Sequence, residues 1–493
     1  MDEHRVPVVI QGGMGVNVSS WQLARAVSRH GQLGVVSGTA LDAVLARGLQ
    51  DGDPGGHLRR ALGAFPDRDM AQRALDRYFI AGGRAPDVPY RPNPTLTIRP
   101  SRGAVELSVL GNFAHVWLAK EGHEGLVGIN FLEKVQMATP SAALGAMVAG
   151  VDYVLMGAGI PREIPQLLTD LAAGRAGTLS IDVHESTRAH TGTIDPVEVL
   201  GAHLPVLTRP LFLAIISLHS LAGYLNRDPS IRPDGFVVEG PTAGGHSAPP
   251  RGRLTLDDAG QPIYSDRDLA DLAAMARFGL PFWLAGAYGT PERVADALEA
   301  GAAGVQCGTI FALCTESGIA EPLRRQTLAE LAAGTLAVRN DAAASPTGFP
   351  FKVAGLPGTL ADEELYQARE RLCDLSYLRE PFERADGSVG YRCAAEPIDA
   401  YVRKGGTIEA TVGRKCLCNA LMADVGLGQH RRDGYDELPA VTLGQDLEGA
   451  RRLLADHPDG WSATQAVDWL LSGDQEHVRR VAAPVQQSIS TGA

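Results

Sequence analysis

The chain has 493 residues, of which 45% are hydrophobic and 21% are charged, and its formal net charge is −12. This composition is typical of a globular protein with a large core. The negative charge argues against nucleic acid as a partner, because phosphate binding needs a basic surface. The longest apolar run, residues 211–218, is too short for a bilayer span, which needs about 20 residues.

The cellular compartment is predicted from two further features. Residues 1–5 lack the apolar stretch of a signal peptide. Six cysteines in a chain of this length fit a reducing compartment better than a disulfide framework. We therefore expect a cytoplasmic protein that has no membrane partner.

Eight short apolar segments with β-type sequences recur along the chain, and helical patterns rich in small residues follow them. They cover residues 6–10, 33–37, 126–131, 153–156, 211–217, 236–239, 282–285 and 304–307. Strands that are apolar throughout are typical of a parallel sheet buried on both faces. Their alternation with helices predicts βαβ units. Eight units favour an α/β fold of the TIM-like (β/α)8 barrel type over an open doubly wound sheet.

Three segments of the chain are additional to the eight βα units of a minimal barrel. Residues of about 40–105 form a long insertion after the second predicted strand, and residues of about 160–205 form another. The chain after the eighth strand contains Pro-Thr-Gly-Phe-Pro at 346–350 and then charged helical patterns. We predict a barrel over residues 1–330 with both insertions, and a helical extension or cap over residues 331–493.

Two glycine loops follow the seventh and eighth predicted strands. The first contains Gly286 and Ala287 before a helix that begins at Pro291, and the second contains Gly308 and Thr309. Such loops leave backbone N–H groups free, and a helix dipole adds positive potential. In barrels, the loops after strands seven and eight often hold a phosphate. The pair predicts a phosphate site, and the alternative is two ordinary βα turns.

A third glycine loop, Gly244-Gly245-His246, follows the sixth predicted strand, which ends at Glu239. Catalytic groups of barrels lie at this end of the strands. A histidine there can act near neutral pH as an acid, a base or a hydrogen-bond donor. We therefore predict that His246 is catalytic, and the alternative is a histidine of a surface loop.

Two weaker features lie nearer the amino terminus. Gln11-Gly12-Gly13-Met14 follows the first predicted strand, and Asn130 ends the third. The glycines suggest a close approach to a flat ligand, on which Met14 could pack, although a core methionine is the commoner case. The pattern is not GxGxxG, so a Rossmann dinucleotide site is not indicated.

Four of the six cysteines lie in the predicted extension, at Cys373, Cys393, Cys416 and Cys418. A four-thiolate zinc or iron–sulfur site is conceivable. The spacing lacks paired CxxC units, and the chain has no HExxH pattern for a catalytic zinc. We predict buried structural thiols and no metal, while the sequence leaves metal binding by these four cysteines open.

Taken together, these motifs resemble the nitronate monooxygenase family, whose superfamily includes FMN-dependent enoyl-acyl-carrier-protein reductases. The resemblance covers about residues 5–320. Its most distinctive parts are the Gly-Gly-His loop at 244–246 and residues 304–309. It implies a TIM-like barrel that binds FMN noncovalently, and His246 matches the position of the family's active-site histidine.

The same resemblance implies a set of cofactor contacts. Those nearest the flavin ring and ribityl chain would come from the first and third strands, and those nearest the phosphate from the glycine loops. The implied residues are Gln11, Gly12, Gly13, Met14, Asn130, Glu239, Gly244, Gly245, Gly286, Ala287, Gly308 and Thr309.

The chain also departs from the family's pattern. Pro241-Thr242 interrupts the usual loop sequence, and residues 211–225 lack the usual lysine. The resemblance implies an FMN-dependent oxidoreductase that oxidises alkyl nitronates with O2. The alternative is an NAD(P)H-dependent reductase of a small or carrier-bound enoyl thioester or of a quinone. A non-catalytic ligand-binding barrel is a minor alternative, and the sequence leaves a homodimer open.

Overall fold

The computed structural model describes residues 6–473 of the chain. Residues 1–5, on which part of the cytoplasmic prediction rests, lie outside the described residues. Eight parallel strands close into a barrel. They are β1 (Val9–Gln11), β2 (Leu33–Ser37), β3 (Val127–Leu132), β4 (Tyr153–Gly157), β7 (Leu211–Ile216), β8 (Gly235–Glu239), β9 (Phe282–Ala285) and β10 (Gly304–Cys307).

The order of these strands confirms the predicted (β/α)8 barrel and contradicts the open sheet. Each strand pairs in parallel with the next barrel strand along the chain, and β10 pairs with β1 to close the ring. The strands are apolar along their whole length because both of their faces are buried. Alternate side chains fill the barrel interior, and the others pack against the surrounding helices. The interior is filled by Ile10, Leu33, Val35, Tyr153, Leu155, Leu213, Val237 and Trp283.

Helices surround the barrel and occupy its long connections. Up to the end of the eighth βα unit they are α1 (Trp21–Arg29), α2 (Leu41–Gln50), α3 (His57–Ala64), α4 (Arg68–Tyr78), α5 (Arg102–Lys120), α6 (Thr139–Val148), α7 (Ile164–Ala172), α8 (Pro196–Leu200), α9 (His219–Asn226), α10 (Leu272–Ala276), α11 (Pro291–Glu299), α12 (Thr309–Ala312) and α13 (Glu321–Ala333). The described residues also contain five short 3-10 helices, at Pro54–Gly56, Glu133–Val135, Gly201–His203, Asp266–Asp268 and Glu409–Thr411.

Two long connections separate barrel strands, one after β2 and one after β4. Helices α2, α3 and α4 follow β2 and pack with α5, which leads back to β3. The second connection contains α7, the antiparallel hairpin of β5 (Gly177–Ser180) and β6 (Thr191–Ile194), and α8. The division of the chain at residue 330 stays a prediction.

The C-terminal segment lies against the carboxyl ends of the barrel strands. Beside the expected helices it contains two antiparallel hairpins. Its elements are β11 (Val338–Asp341), β12 (Phe351–Ala354), α14 (Glu363–Ala368), β13 (Glu380–Glu383), β14 (Val389–Arg392), α15 (Ile398–Arg403), α16 (Leu417–Asp424), α17 (Glu448–Asp456) and α18 (Ala463–Leu470). Fully buried Trp461 shares the barrel's outer core, and its indole N–H donates a 2.7 Å hydrogen bond to the carbonyl of Ile310.

Within residues 6–473, no helix has both the length and the apolar character that crossing a membrane requires.

Candidate active site

Two adjoining cavities lie at the carboxyl ends of the barrel strands. The first has a volume of about 910 Å³ and the second about 960 Å³, each including space open to solvent. Gly13, Glu239, Gly245 and Gln306 line both cavities. We call them the glycine-loop cavity and the apolar cavity.

The glycine-loop cavity gathers most of the residues singled out from the sequence. They come from four strand ends that meet at one rim, because all barrel strands run in the same direction. The cavity is lined by Gly12, Gly13, Met14, Glu239, Gly244, Gly245, Gly286, Ala287, Gly308 and Thr309. Their contacts to a cofactor stay a prediction.

Two of these loops need glycine for geometric reasons. Gly286 has a φ of +85°, and a Cβ built there would lie 3.2 Å from both the backbone nitrogen of Ala243 and the carbonyl oxygen of Gly240. A Cβ on Gly13 would lie 2.3 Å from the Cβ of Asn130. Glycine is therefore required at both positions by the close approach of neighbouring protein atoms, and at Gly286 also by the positive φ.

The C-terminal segment supplies one wall of this cavity, and the sequence reasoning missed it. The N–H of Gly444 donates a 2.9 Å hydrogen bond to Oγ1 of Thr309, and the N–H of Gln445 donates one of 2.9 Å to the carbonyl of Thr242. Gly449, at the start of α17, packs so closely that a Cβ would lie 1.9 Å from the carbonyl oxygen of Gly289. Glycines before a helix are too common for this segment to be recognised from sequence.

The polar groups of the cavity fit an FMN cofactor. The lining residues include no lysine or arginine, and the acidic ones are Glu239 and Asp446. A phosphate there would depend on backbone N–H groups and the Thr309 hydroxyl, as glycine-rich loops provide. Oε1 of Gln306 is buried and, in the described part of the chain, has no hydrogen-bond partner. A ring N–H of a flavin is a donor that would satisfy it.

The apolar cavity extends from the rim beneath the C-terminal segment. Hydrocarbon side chains dominate its wall, namely Phe131, Leu132, Val135, Ile215, Phe351, Leu378, Leu417 and Leu421. Asn130, Tyr377 and His246 are among the polar residues that reach it. Four residues of this apolar wall, Phe351, Leu378, Leu417 and Leu421, lie beyond residue 350, and the sequence reasoning did not include them in the site.

His246 lies between the apolar cavity and the C-terminal segment. Its Nε2 is 2.8 Å from Oγ of Ser345, and its ring contacts the ring of Phe351 edge-on, with 4.9 Å between centroids. Burial, together with a smaller effect of nearby Lys134, lowers the pKa of His246 to about 4. The imidazole is therefore neutral near pH 7 and can accept a proton.

A partly buried acid, Glu239, and a fully buried lysine, Lys352, flank the glycine loop. Burial raises the pKa of Glu239 to about 7, an effect that the charge of Lys352 opposes. Burial also lowers the pKa of Lys352 to about 8. The Lys352 ammonium donates hydrogen bonds of 2.8 Å to the carbonyl of Pro241 and 2.5 Å to Oγ of Ser247. Lys352 lies in β12, and the sequence analysis did not identify it as a residue near the site.

Gln11 lines neither cavity, and its contact with a cofactor stays a prediction. Because Ile10 points into the barrel, strand alternation turns Gln11 outward. There its Nε2 donates a 2.9 Å hydrogen bond to Oγ of Ser19, and its Oε1 accepts one of 3.0 Å from the N–H of Val35. Gln11 is fully buried and joins β1 to β2 and to the following loop.

The four cysteines of the C-terminal segment are free thiols. In residues 6–473, no group of three or more His, Cys, Asp or Glu side chains is arranged to hold a metal ion. Burial raises the pKa of Cys418 to about 12, so its thiol is protonated at neutral pH. The role of these cysteines as structural thiols stays a prediction.

Comparison with known proteins supports the resemblance stated from the sequence. The family model for nitronate monooxygenase matches residues 213–343, which include His246 and the loops at Gly286 and Gly308. This match confirms the resemblance to that family of oxidoreductases, over less than a third of the chain. No curated protein matches the chain.

Several solved structures are distantly similar over nearly the whole chain. FabK from Thermotoga maritima is 15% identical with a TM-score of 0.45, covering 98% of this chain and 97% of that one. The nitroalkane oxidase from Streptomyces ansochromogenes is 16% identical with a TM-score of 0.42, covering 96% and 97%. The enoyl reductase domain of MlnA from Bacillus amyloliquefaciens is 13% identical with a TM-score of 0.43, covering 99% and 98%.

Proposed function

We propose that this chain is an FMN-dependent oxidoreductase that oxidises nitronates, or their parent nitroalkanes, with O2. The observation that carries the proposal is the position of His246 in the apolar cavity, next to a cavity built from glycine loops. The family match to nitronate monooxygenase spans both features. The function rests on this juxtaposition, since a fold alone does not imply an activity.

FMN, when bound, would supply a two-electron acceptor that O2 can reoxidise. Gly286, Ala287, Gly308 and Thr309 would hold its phosphate, and Gly13 and Gln306 would lie nearer its ring. The loop N–H groups would bind the phosphate without lysine or arginine, so the cofactor would be held by geometry more than by net charge.

His246 would act on the substrate as a neutral base. Nδ1 of its ring has no hydrogen-bond partner among the described residues, whereas Nε2 contacts Ser345. A nitroalkane carbon could therefore lose its proton to Nδ1 and leave a nitronate next to the cofactor. With a preformed nitronate the same ring would orient the nitro oxygens. Acid–base groups typically contribute about 10²- to 10⁴-fold to the rate.

A second candidate function is favoured by the apolar cavity. Its hydrocarbon wall suits an acyl chain better than a small anion. An enoyl thioester, free or bound to a carrier, or a quinone would then be reduced with NAD(P)H as the electron source. In that case His246 would deliver a proton to the substrate instead of removing one.

The first experiment records the visible spectrum of the purified chain, with and without added FMN. Under the proposal the protein is yellow, or becomes yellow, with one FMN per chain. Oxygen uptake is then measured with a nitroalkane and its nitronate, and NAD(P)H oxidation with an enoyl thioester and a quinone. Oxygen uptake without NAD(P)H supports the first function. A protein that stays colourless with excess FMN would contradict both.

A further inference from the structure

We propose that Ser345 and Thr347 form a proton relay between His246 and solvent. The relay would join the apolar cavity to a third, polar cavity on the other side of the C-terminal segment. The inference rests on the proposed function, because it assumes that His246 exchanges a proton with the substrate. It adds two residues to which neither the family resemblance nor the sequence motifs assign a role.

An unbroken chain of short hydrogen bonds makes the relay. His246 Nε2 lies 2.8 Å from Ser345 Oγ, and Ser345 Oγ lies 2.8 Å from Thr347 Oγ1. The N–H of Thr347 also donates a 3.2 Å hydrogen bond to Ser345 Oγ. Hydroxyl groups both donate and accept, so each can receive a proton on one side and release its own on the other.

Thr347 brings the hydrogen-bonded chain to the polar cavity, which it lines. The wall of this cavity carries charged side chains, namely Glu133, Lys134, Asp182, Arg379, Glu380 and Arg392. Solvent reaches it, because Asp182 is exposed and the side chain of Glu380 is 46% exposed. A proton that arrives at Thr347 therefore has water and carboxylates within reach.

The surroundings of His246 explain why a proton bound to its ring needs a path to solvent. Its ring lies against Phe351 and the apolar cavity, and Lys134 places a positive charge nearby. An imidazolium is unfavourable there, so a proton taken from the substrate must leave before the next turnover. Ser345 is the one hydrogen-bond partner of the ring in the described part of the chain.

The relay is held by the turn between β11 and β12. Ser345 is fully buried, and the guanidinium of Arg414 donates hydrogen bonds to the carbonyl oxygens of Ala343 and Ser345. The N–H of Lys415 donates a 2.8 Å bond to the carbonyl of Ala344. These contacts fix the backbone on which the two hydroxyls are placed, so the path does not depend on a flexible loop.

The transfer balances without a co-reactant. A substrate C–H bond breaks, its electron pair stays on the substrate, and the proton binds Nδ1 of His246. The proton on Nε2 then moves to Ser345 Oγ, that of Ser345 to Thr347 Oγ1, and that of Thr347 to water in the polar cavity. The net result is one proton released to solvent, and the reverse sequence would serve a reductase.

The test compares Ser345→Ala and Thr347→Val with Ser345→Thr, which keeps a hydroxyl, and with Thr335→Val, an exposed control in the same segment. Turnover is measured with the substrate that proves active in the assays of the proposed function. Each assay is run with and without added imidazole buffer, which serves as a small proton carrier. We expect the first two variants to lose about tenfold in kcat, within the range of acid–base contributions, with little change in KM. Imidazole should restore much of the loss, Ser345→Thr should recover part of the turnover that Ser345→Ala loses, and Thr335→Val should stay near wild type.

Two outcomes would overturn the relay. Wild-type turnover in Ser345→Ala, while His246→Ala is impaired, would show that His246 exchanges its proton elsewhere. A loss in Ser345→Ala that neither imidazole nor Ser345→Thr restores would assign Ser345 a structural role only. Unimpaired turnover in His246→Ala would instead contradict the catalytic role of His246 in the proposed function, so the two failures are distinguishable.

Discussion

The main-chain N–H of Lys352 donates a 2.9 Å hydrogen bond to the carbonyl oxygen of Gly245. This bond joins β12 of the C-terminal segment to the loop that carries His246. A second bond, from the N–H of Ser247 to the carbonyl of Pro350, completes the pairing. The loop that the sequence predicts to be catalytic is therefore held in place by residues about a hundred positions later.

The first prediction concerns His246. His246→Ala should keep its bound FMN and lose at least about tenfold in turnover, since acid–base groups usually contribute more than that. Flavin absorbance per chain and steady-state kinetics measure the two effects. His203→Ala, at an exposed position outside the site, is the control and should match wild type. Unchanged turnover in His246→Ala would reject its catalytic role.

The second prediction concerns the unpartnered Oε1 of Gln306. Gln306→Leu should raise the free energy of unfolding of the flavin-free protein by about 1–3 kcal/mol, because a buried acceptor without a partner is removed. The same change should weaken FMN binding. Urea unfolding with and without FMN checks both, and exposed Gln72→Leu is the control. Equal FMN affinity in Gln306→Leu would show that this oxygen does not contact the cofactor.

The third prediction concerns the packing of α17 on the glycine-loop cavity. Gly449→Ala should lower the melting temperature and the affinity for FMN, because its Cβ would lie 1.9 Å from the carbonyl oxygen of Gly289. Gly103→Ala, in α5, is the matched control, since a Cβ there meets no atom within 4 Å. Alanine should stabilise that helix by up to about 1 kcal/mol. If Gly449→Ala binds FMN with wild-type affinity, the packing of α17 does not contribute to the cofactor site.

The fourth prediction concerns the pH dependence of stability that Glu239 causes. Burial raises its pKa in the folded protein from 4.5 to about 7. The folded protein favours the protonated acid, so Glu239 contributes to the free energy of unfolding. This contribution is fully present below pH 4.5 and is lost as pH rises through about 7. Glu239→Gln should remove that decline, as measured by urea unfolding across this range. A decline of the same size in Glu239→Gln would assign it to other groups.

The fifth prediction concerns Lys352, whose charge lowers the pKa of Glu239. Lys352→Met removes this charge and should move the Glu239 titration to a higher pH than in wild type. The pH at which flavin absorbance or turnover changes gives the readout. Lys404→Met, far along the chain and paired with Glu396, is the control and should not shift it. A shift to lower pH would contradict the assigned interaction.

The barrel could be predicted from the sequence because its signal is local. Each strand is a short apolar run whose burial depends on the residues of that run, and eight runs followed by helices leave few arrangements. The loops at Gly244, Gly286 and Gly308 could be placed at one rim for the same reason, since strands that are all parallel end on one side. The motif at Gln11 could not show which way its side chain turns, because that direction depends on how its strand sits in the barrel.

The sequence by itself determined the barrel, the glycine loops and His246, since each depends on neighbours along the chain. Only the tertiary structure decided what surrounds them. Ser345, Lys352 and Gly444 reach the site through contacts between residues about a hundred or more positions apart. No periodicity or local motif encodes such contacts, because they arise when the C-terminal segment buries its apolar surface against the barrel.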